Sequence, residues 1–530
     1  MGSLPQMTRT SRPGSLSDLH SPARPMDALH GYDLLRSQSK IAEAGVLLRL
    51  FAVFLVVWTL YATISAVTTT IHTDMAEAYT WGQTFSFGYS RHPPFWAWIT
   101  RIWFSIFPRT DWAFYLLSTL NAGLGLVGSW FLLGNFARGD RRLAATWLLL
   151  LTPFYTFLAL KFNANSIFLS LWPWTLNFFM RSIEGHRLSD AFLFGLFMGL
   201  ALLSKYFAVI LAATCFLAAL THPDRRAYFR SFSPYVSLVW ALVVFAPHLV
   251  WLAWNHAPPV HYFAQTAGQT LRTAAFTCIV FIAGILAFHT LVFILIGISR
   301  RKAWPWRSGT RLFLESWKQP KFRVLFVLVV LPVALTVLSG LLFRLKLDTG
   351  MAIGIFSLMP LLLIELSGPG DDRRLFVLAR TVAVGIIVCS LLLSPLIALV
   401  TLRSGRDIEN VEPKKELATA VTELWHQQTG SPLQYVGGGR KTAYSVAFYS
   451  ADRPRGLGEA KTGILSMSDD AASRTGFLLV CMVADKGCVK SVKNAVLSPR
   501  KHTERLVLAH SFWGYTEAPV SFLVTLVPPA

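Results

Sequence analysis

The chain has 530 residues, of which 53% are apolar and only 15% carry charge, with a net charge of +21. Soluble domains hold about 25% charged residues, so a wholly soluble enzyme is excluded. Most of the surplus Lys and Arg lies in short segments between apolar blocks, which reads as membrane topology; no nucleic-acid partner is expected.

Residues 1–45 are rich in Ser, Pro and Arg and read as a disordered cytoplasmic tail without the apolar core of a signal peptide. The first apolar block, Val46–Val67, is long enough to cross a hydrocarbon core of about 30 Å at about 1.5 Å per residue. Blocks of this kind predict spans near 46–68, 113–134, 143–160, 166–181, 190–204, 206–220, 233–254, 274–298, 323–343, 350–367 and 375–402. The expected fold is therefore an α-helical polytopic membrane domain of about eleven transmembrane helices over 46–403. Alternate loops are basic: Arg138 to Arg142, Arg181 to Arg187, Arg225 to Arg230, Arg300 to Arg323, and Arg373-Arg374. The positive-inside rule puts these in the cytoplasm, and the odd helix count puts residues 404–530 outside.

Three outward segments are long enough, or charged enough, to bear on chemistry. The first, the loop 69–112, carries Tyr79, Trp81, Phe85 and Phe87 and then Phe95, Trp96, Trp98, Trp103 and Phe104. It predicts two amphipathic helices lying in the membrane interface. The second is Trp254–Thr273, with Asn255-His256 and Pro258-Pro259; the third is the turn Arg344–Asp348. Beyond Arg403 a small α/β domain is expected, with a helix over Pro413–Gln428 and strand-like runs at Tyr444–Tyr449, Gly476–Met482 and Val520–Leu526. Gly437-Gly438-Gly439 lacks phosphate-loop spacing and a following helix, so it reads as a flexible turn. Cys215, Cys278 and Cys389 sit in apolar blocks and read as core hydrophobes. Cys481 and Cys488 frame a polar stretch and are either free or joined as a hairpin-closing disulfide.

Asp74 and Glu77 stand three apart just after the first span, so on a helix they share a face. Carboxylates beside a membrane-helix end are functional candidates, with solvated loop acids as the plain alternative. His92 precedes Pro93-Pro94, where it reads as a helix cap with its ring free. Lys205 lies between two apolar blocks and needs an anionic partner, or else snorkels to the interface. No cluster has zinc-ligand spacing, so neither a metal nor any other cofactor is expected.

The Asp-x-x-Glu after the first span, the His-Pro-Pro that follows and the aromatic loop together resemble the integral-membrane glycosyltransferases of GT-C fold. The nearest branch holds lipid A aminoarabinose transferase, lipid A and core galacturonosyltransferases and protein O-mannosyltransferases. Lys161-Phe-Asn163-Ala-Asn165-Ser, Trp172-Pro-Trp174, Leu203-Ser-Lys205-Tyr206 and Asp452-Arg-Pro454 add to the likeness, which covers roughly 45–400. The resemblance implies a sugar donor on a polyprenyl phosphate and a lipid, glycan or protein acceptor of the cell envelope. It implies the bacterial inner membrane, with the active site and C-terminal domain facing the periplasm. Asp74 would be the general base in an inverting transfer, and Glu77 would assist. His92, with a charge varying near neutral pH, would contact the departing phosphate, joined by Lys205 and, more weakly, Arg344 and Lys346. Tyr79, Asn163, Asn165 and His256 would line the substrate site. Asn165 stands where many relatives have a second acid and cannot act as base, so more rests on Asp74. A transporter or flippase without chemistry, or an inactive scaffold, are the rival readings; charges at helix ends rather than helix centres favour the enzyme.

Overall fold

The computed structural model describes residues 25–300, 309–403, 412–459, 474–495, 500–512 and 514–529. The chain divides into a short unit ending at Val53 and a large one running from Phe54 to Ala530. The first helix, α1 (Pro25–Ser65), starts well before Val46, so part of the expected tail is helical; residues 1–24 lie outside the described ones.

The helices that follow are α2 (Thr73–Gly82), α3 (Phe95–Ile106), α4 (Asp111–Leu133), α5 (Gly139–Leu150), α6 (Phe168–Gly185), α7 (Leu188–Leu202) and α8 (Ala208–Thr221). Next come α9 (Arg225–Arg230), α10 (Ser233–Trp254), α11 (Pro258–Thr266), α12 (Leu271–Phe288), α13 (Thr290–Ser299), α14 (Gly309–Trp317), α15 (Pro320–Leu342), α16 (Met359–Leu366) and α17 (Asp372–Arg403). In a hydrocarbon layer a segment must satisfy its own backbone polar groups, which is why these apolar runs are helical.

Among the described residues six helices are long and apolar enough to cross a membrane: residues Gly45–Ser65 of α1, α4, α10, α12, α15 and α17. A seventh crossing is formed if α5 and Pro153–Leu160 count as one span bent by 70°. The other expected spans take shorter forms. The stretch 143–160 breaks at Pro153, which has no N–H to continue the ladder. The stretch 274–298 divides into α12 and α13 at His289, and 350–367 begins as two short 3-10 turns before α16. The span expected over 166–181 is α6, and those near 190–204 and 206–220 are the short α7 and α8.

Close packing of α4 on α6 fixes the turn that precedes α6. A Cβ on Gly125 would lie 2.2 Å from the Leu169 carbonyl oxygen, so only glycine permits this approach. Asn121 of α4 then reaches across, donating to the Ser166 carbonyl at 2.7 Å and accepting from the Ser170 hydroxyl at 2.7 Å. At the ends carrying the basic loops, Arg141 and Arg300 both pair with Asp372, at 2.8 and 2.7 Å, and Arg141 also pairs with Glu365.

The C-terminal portion holds helices α18 (Lys414–Thr429), α19 (Arg440–Tyr449) and α20 (Lys486–Ala495). Its strands are β1 (Tyr435–Gly438), β2 (Arg455–Glu459), β3 (Phe477–Met482), β4 (His502–Leu508), β5 (Ser511–Phe512), β6 (Tyr515–Thr516) and β7 (Val520–Val527). Five of these form a mixed sheet in the order β2-β1-β3-β7-β4; β1 runs parallel to both neighbours, and β7 antiparallel to β3 and β4. Leu417, Val421, Trp425, Val436, Leu478, Val480 and Val524 make its core.

The run Tyr444–Tyr449, expected as a strand, is most of helix α19. It is apolar on nearly every side because it is buried from both: Val446 and Ala447 face the sheet core, and Tyr444 and Phe448 the membrane-side core. The glycine triplet is therefore followed by a helix, and it is not a loose turn. Gly438 has φ +122°, and a Cβ there would lie 2.2 Å from the Val480 oxygen. Cys481 and Cys488 are joined, with Cα atoms 5.8 Å apart, linking β3 to α20 rather than closing a hairpin. Cys215 and Cys278 are buried as expected, whereas Cys389 is exposed.

Candidate active site

The link between α1 and α2 ends at His72, whose Nδ1 accepts from the Asp74 amide at 3.0 Å and so caps α2. This places Asp74 in the first turn, where the exposed N–H groups favour negative charge. Glu77 lies one turn on, on the same face, with only 3% of its surface exposed.

Helix α19 packs along α2, with Arg440, Tyr444 and Phe448 meeting Glu77, Trp81 and Tyr79 in turn. Arg440, its first residue, puts Nη2 2.6 Å from Asp74 Oδ1 and 2.7 Å from Glu77 Oε2, so one guanidinium nitrogen bridges both carboxylates. Arg91 donates to the other Glu77 oxygen at 2.5 Å. The second Asp74 oxygen accepts from Asn163 Nδ2 at 2.8 Å and lies 3.5 Å from Lys161 Nζ. Asn163 has no freedom to turn away, since its Oδ1 accepts from the Asn165 and Ser166 amides, each at 2.9 Å. Lys205 Nζ donates to Asn165 Oδ1.

Four cations thus surround two carboxylates, and the charges act on one another. Burial raises the Asp74 carboxyl, but Lys161, His72 and Arg440 outweigh it and hold the group well below the usual range. Burial pushes Glu77 up, against Arg440 and Arg91. Burial works against the charge on Arg440, but Glu77 and Asp74 outweigh it and hold the guanidinium above its ordinary value.

His92 differs from expectation in two ways. Pro94, not His92, precedes α3, and no side chain caps that helix. The ring packs between Trp81 and Trp96, with centroids 6.3 and 6.2 Å away. Burial, with Lys205 and Arg91 nearby, takes its pKa down to about 3, so the imidazole is neutral at physiological pH instead of titrating near it.

The remaining candidates lie at varying remove from the carboxylates. Tyr79 stacks edge-on against Phe104 and Phe448, 5.6 and 5.2 Å away, with Arg109 over its ring. His256 is exposed in a left-handed backbone position, φ 56°. Arg344 and Lys346 are also exposed, and Arg344 is likewise left-handed. The segment Trp254–Thr273 reaches the site through Tyr262 of α11, whose ring lies 5.8 Å from the Arg91 guanidinium. Among the described residues no group of three His, Cys, Asp or Glu side chains is placed to hold a metal ion.

Arg440, Arg91, Lys161 and Tyr262 are not among the residues singled out from the sequence as site candidates. Arg440 had a readable signal. A cation in the first turn of a helix opposes the helix dipole and calls for an acidic partner.

The C-terminal portion is held over the site by several contacts. Tyr449 donates to Asp111 at 2.9 Å and accepts from the Ile71 amide at 2.8 Å, and Arg109 donates to the Ala447 and Ser450 carbonyls. Gln83 donates to the carbonyl of Pro454 at 2.9 Å, so the Asp452–Pro454 turn borders the segment between α2 and α3.

Residues 91–251 match a family profile described as dolichyl-phosphate-mannose-protein mannosyltransferase. No curated protein matches the sequence. The fold resembles ArnT from Cupriavidus metallidurans bound to undecaprenyl phosphate, with a TM-score of 0.59 at 14% identity over 90% of this chain and 97% of that one. The apo state of the same protein gives 0.59 at 13% identity, over 91% and 98%. The chain has the GT-C fold. With its long apolar helices, it is a multi-pass membrane protein. The profile match covers the loop carrying Arg91 and His92, the Lys161–Ser166 turn and Lys205. It stops short of α19, so Arg440 comes to this GT-C site from outside the matched region.

Proposed function

We propose that this protein is a membrane glycosyltransferase that moves a sugar from a polyprenyl-phosphate donor to a cell-envelope acceptor: lipid A or core, another lipid, or a protein. The observation that carries this is the acid pair Asp74 and Glu77, set just after the first span and ringed by Arg91, Lys161, Lys205 and Arg440. The profile match and the undecaprenyl phosphate bound to ArnT support the donor class.

In this reading Asp74 accepts the proton of an acceptor hydroxyl. The hydroxyl oxygen bonds to the anomeric carbon as the carbon–oxygen bond to phosphate breaks from the opposite face, inverting that centre. The departing lipid phosphate gains negative charge, which the fixed cations stabilise as it develops. Glu77 holds Arg440 and Arg91 in place for this step. Lys205 takes the phosphate first, with Arg344 and Lys346 further out. His92 hydrogen-bonds as a neutral ring. Tyr79, Asn163, Asn165 and His256 line the sugar and acceptor path. The division into a tail over 1–45, a membrane domain over 46–403 and a soluble domain over 404–530 belongs to the same proposal. So do eleven crossings and a periplasmic site in the bacterial inner membrane.

Asp74→Asn tests the proposal. Transfer, followed by mass spectrometry of envelope lipids and glycans, falls by about 100-fold or more, while expression and insertion stay normal. Wild-type transfer in this variant would sink it. A reporter fused after Arg403 reads as extracytoplasmic; a cytoplasmic signal would overturn the topology.

A further inference from the structure

Both oxygens of Asp74 are engaged. Oδ1 is held by Arg440 at 2.6 Å, and Oδ2 by Asn163 at 2.8 Å with Lys161 at 3.5 Å. A carboxylate with all its partners in place is a weak proton acceptor. At least one partner has to leave before the acid can act as a base.

His72 lies further off, with Nδ1 3.8 Å from Oδ2, and the three nearer partners differ in mobility. Asn163 is 5% exposed and locked by two backbone amides. Lys161 is the looser ion pair, at 3.5 Å, and lies on the opposite oxygen. Arg440 is about a third exposed at its side chain and has a second anchor, Glu77, which is 4% exposed and itself tied to Arg91. A guanidinium pinned on Glu77 can swing off Asp74 without losing all its charge partners. Its planar fork also suits a phosphate better than it suits a single carboxylate oxygen.

We propose that Arg440 is a latch on Asp74 that the donor releases: an arriving lipid phosphate draws the guanidinium off Oδ1, pivoting on Glu77, and so frees the base only once a donor is in place. This rests on the reading of Asp74 as base. It gives the C-terminal portion a role as the carrier of a positioning residue. It also means that the empty enzyme holds its base unreactive.

The latch makes Asp74 and an incoming phosphate competitors for one side chain, and binding alone reads this out. The probe is undecaprenyl phosphate without sugar, titrated against purified full-length protein in detergent. Arg440→Gln weakens its binding by about tenfold, the loss of one charge-assisted contact. Asp74→Asn tightens binding by about tenfold, because Arg440 no longer has to be pulled away. In the double variant the gain from Asp74→Asn disappears, since no latch remains to open.

General repulsion between Asp74 and phosphate would tighten binding equally in both backgrounds, and that result overturns the proposal. Unchanged binding in Asp74→Asn overturns it as well. Arg440→Lys runs the same cycle should the Gln variant fail to give a monodisperse protein. Lysine keeps the charge but not the fork, so the gain from Asp74→Asn shrinks; a full tenfold gain counts against the latch. These outcomes are separate from the base assignment, which stands or falls on transfer by Asp74→Asn.

Discussion

Tyr449 and Asp111 are 338 residues apart in the chain and joined by a 2.9 Å hydrogen bond in the fold. The same hydroxyl accepts from the buried Ile71 amide at 2.8 Å. One phenol therefore ties α19 to the start of α4 and to the strand of backbone leading into α2. Tyr449→Phe strands the Ile71 amide away from water, at a cost of about 1–3 kcal/mol. Hydrogen exchange over α19 checks it: faster exchange there is expected, and unchanged protection would show that the aromatic contacts of Phe448 suffice.

Gly438 and Gly439 give a sharper contrast. Gly438 sits at φ +122° with its would-be Cβ 2.2 Å from the Val480 oxygen, whereas the nearest atom to a Cβ on Gly439 is Thr442 Oγ1 at 3.0 Å. Gly438→Ala is expected to cost about 2–4 kcal/mol and to weaken the same lipid-phosphate binding as loss of Arg440, by unseating the start of α19. Gly439→Ala should cost under about 1 kcal/mol. Thermal melting of the pair decides this, and equal losses would refute it.

The neutral state of His92 has a pH signature. Its folded pKa is about 3 against about 6.5 when unfolded. Between those values the unfolded chain binds the proton and the folded one does not, so His92 lowers stability as pH falls from about 6.5 toward 3. His92→Gln is expected to flatten that part of the melting-temperature profile. It should leave the pH dependence of transfer between about 6 and 8 unchanged; a shifted profile would mean the ring titrates during turnover.

His510 and Glu416 show the opposite sign. Their side chains are 2.7 Å apart. The hydrogen bond to Glu416 raises His510, and Glu416 is lowered by His510 and Lys415 against the effect of burial. The histidine's contribution is full below its unfolded pKa of about 6.5 and is lost as pH rises through its raised folded value. The glutamate's is present above its unfolded value of about 4.3 and is lost as pH falls through its lowered folded value. His510→Ala should therefore destabilise by about 1 kcal/mol near pH 5.5 and by less at pH 9. A difference that grew with pH would reverse the assignment.

Much of this was legible in the sequence, for reasons that can be named. The acid pair is legible because a helix face repeats every three to four residues, so Asp74 and Glu77 point together. Six apolar blocks were long enough to be read as single spans. The breaks at Pro153 and His289 were harder to see, because hydropathy averages over a window and a bend removes only one or two hydrogen bonds. The α19 stretch reads as a strand because the helix is covered on two sides, which erases the polar stripe that marks a surface helix. Arg440 stayed hidden for a different reason. A cation in the first turn of a helix calls for an acid, but the stretch reads as a strand and the partners lie 363 and 366 residues upstream, beyond any local pattern.

That same separation bears on how the protein is made. A growing chain lays down Asp74 and Glu77 long before residue 440 leaves the ribosome. Through most of synthesis the acid pair waits without the cation that bridges it. Folding of the last segment supplies it, so a chain cut short after α17 keeps Arg91, Lys161 and Asn163 beside the carboxylates but lacks the guanidinium that bridges them. Co-expression of the two pieces as separate polypeptides would then be a way to supply the missing cation in trans.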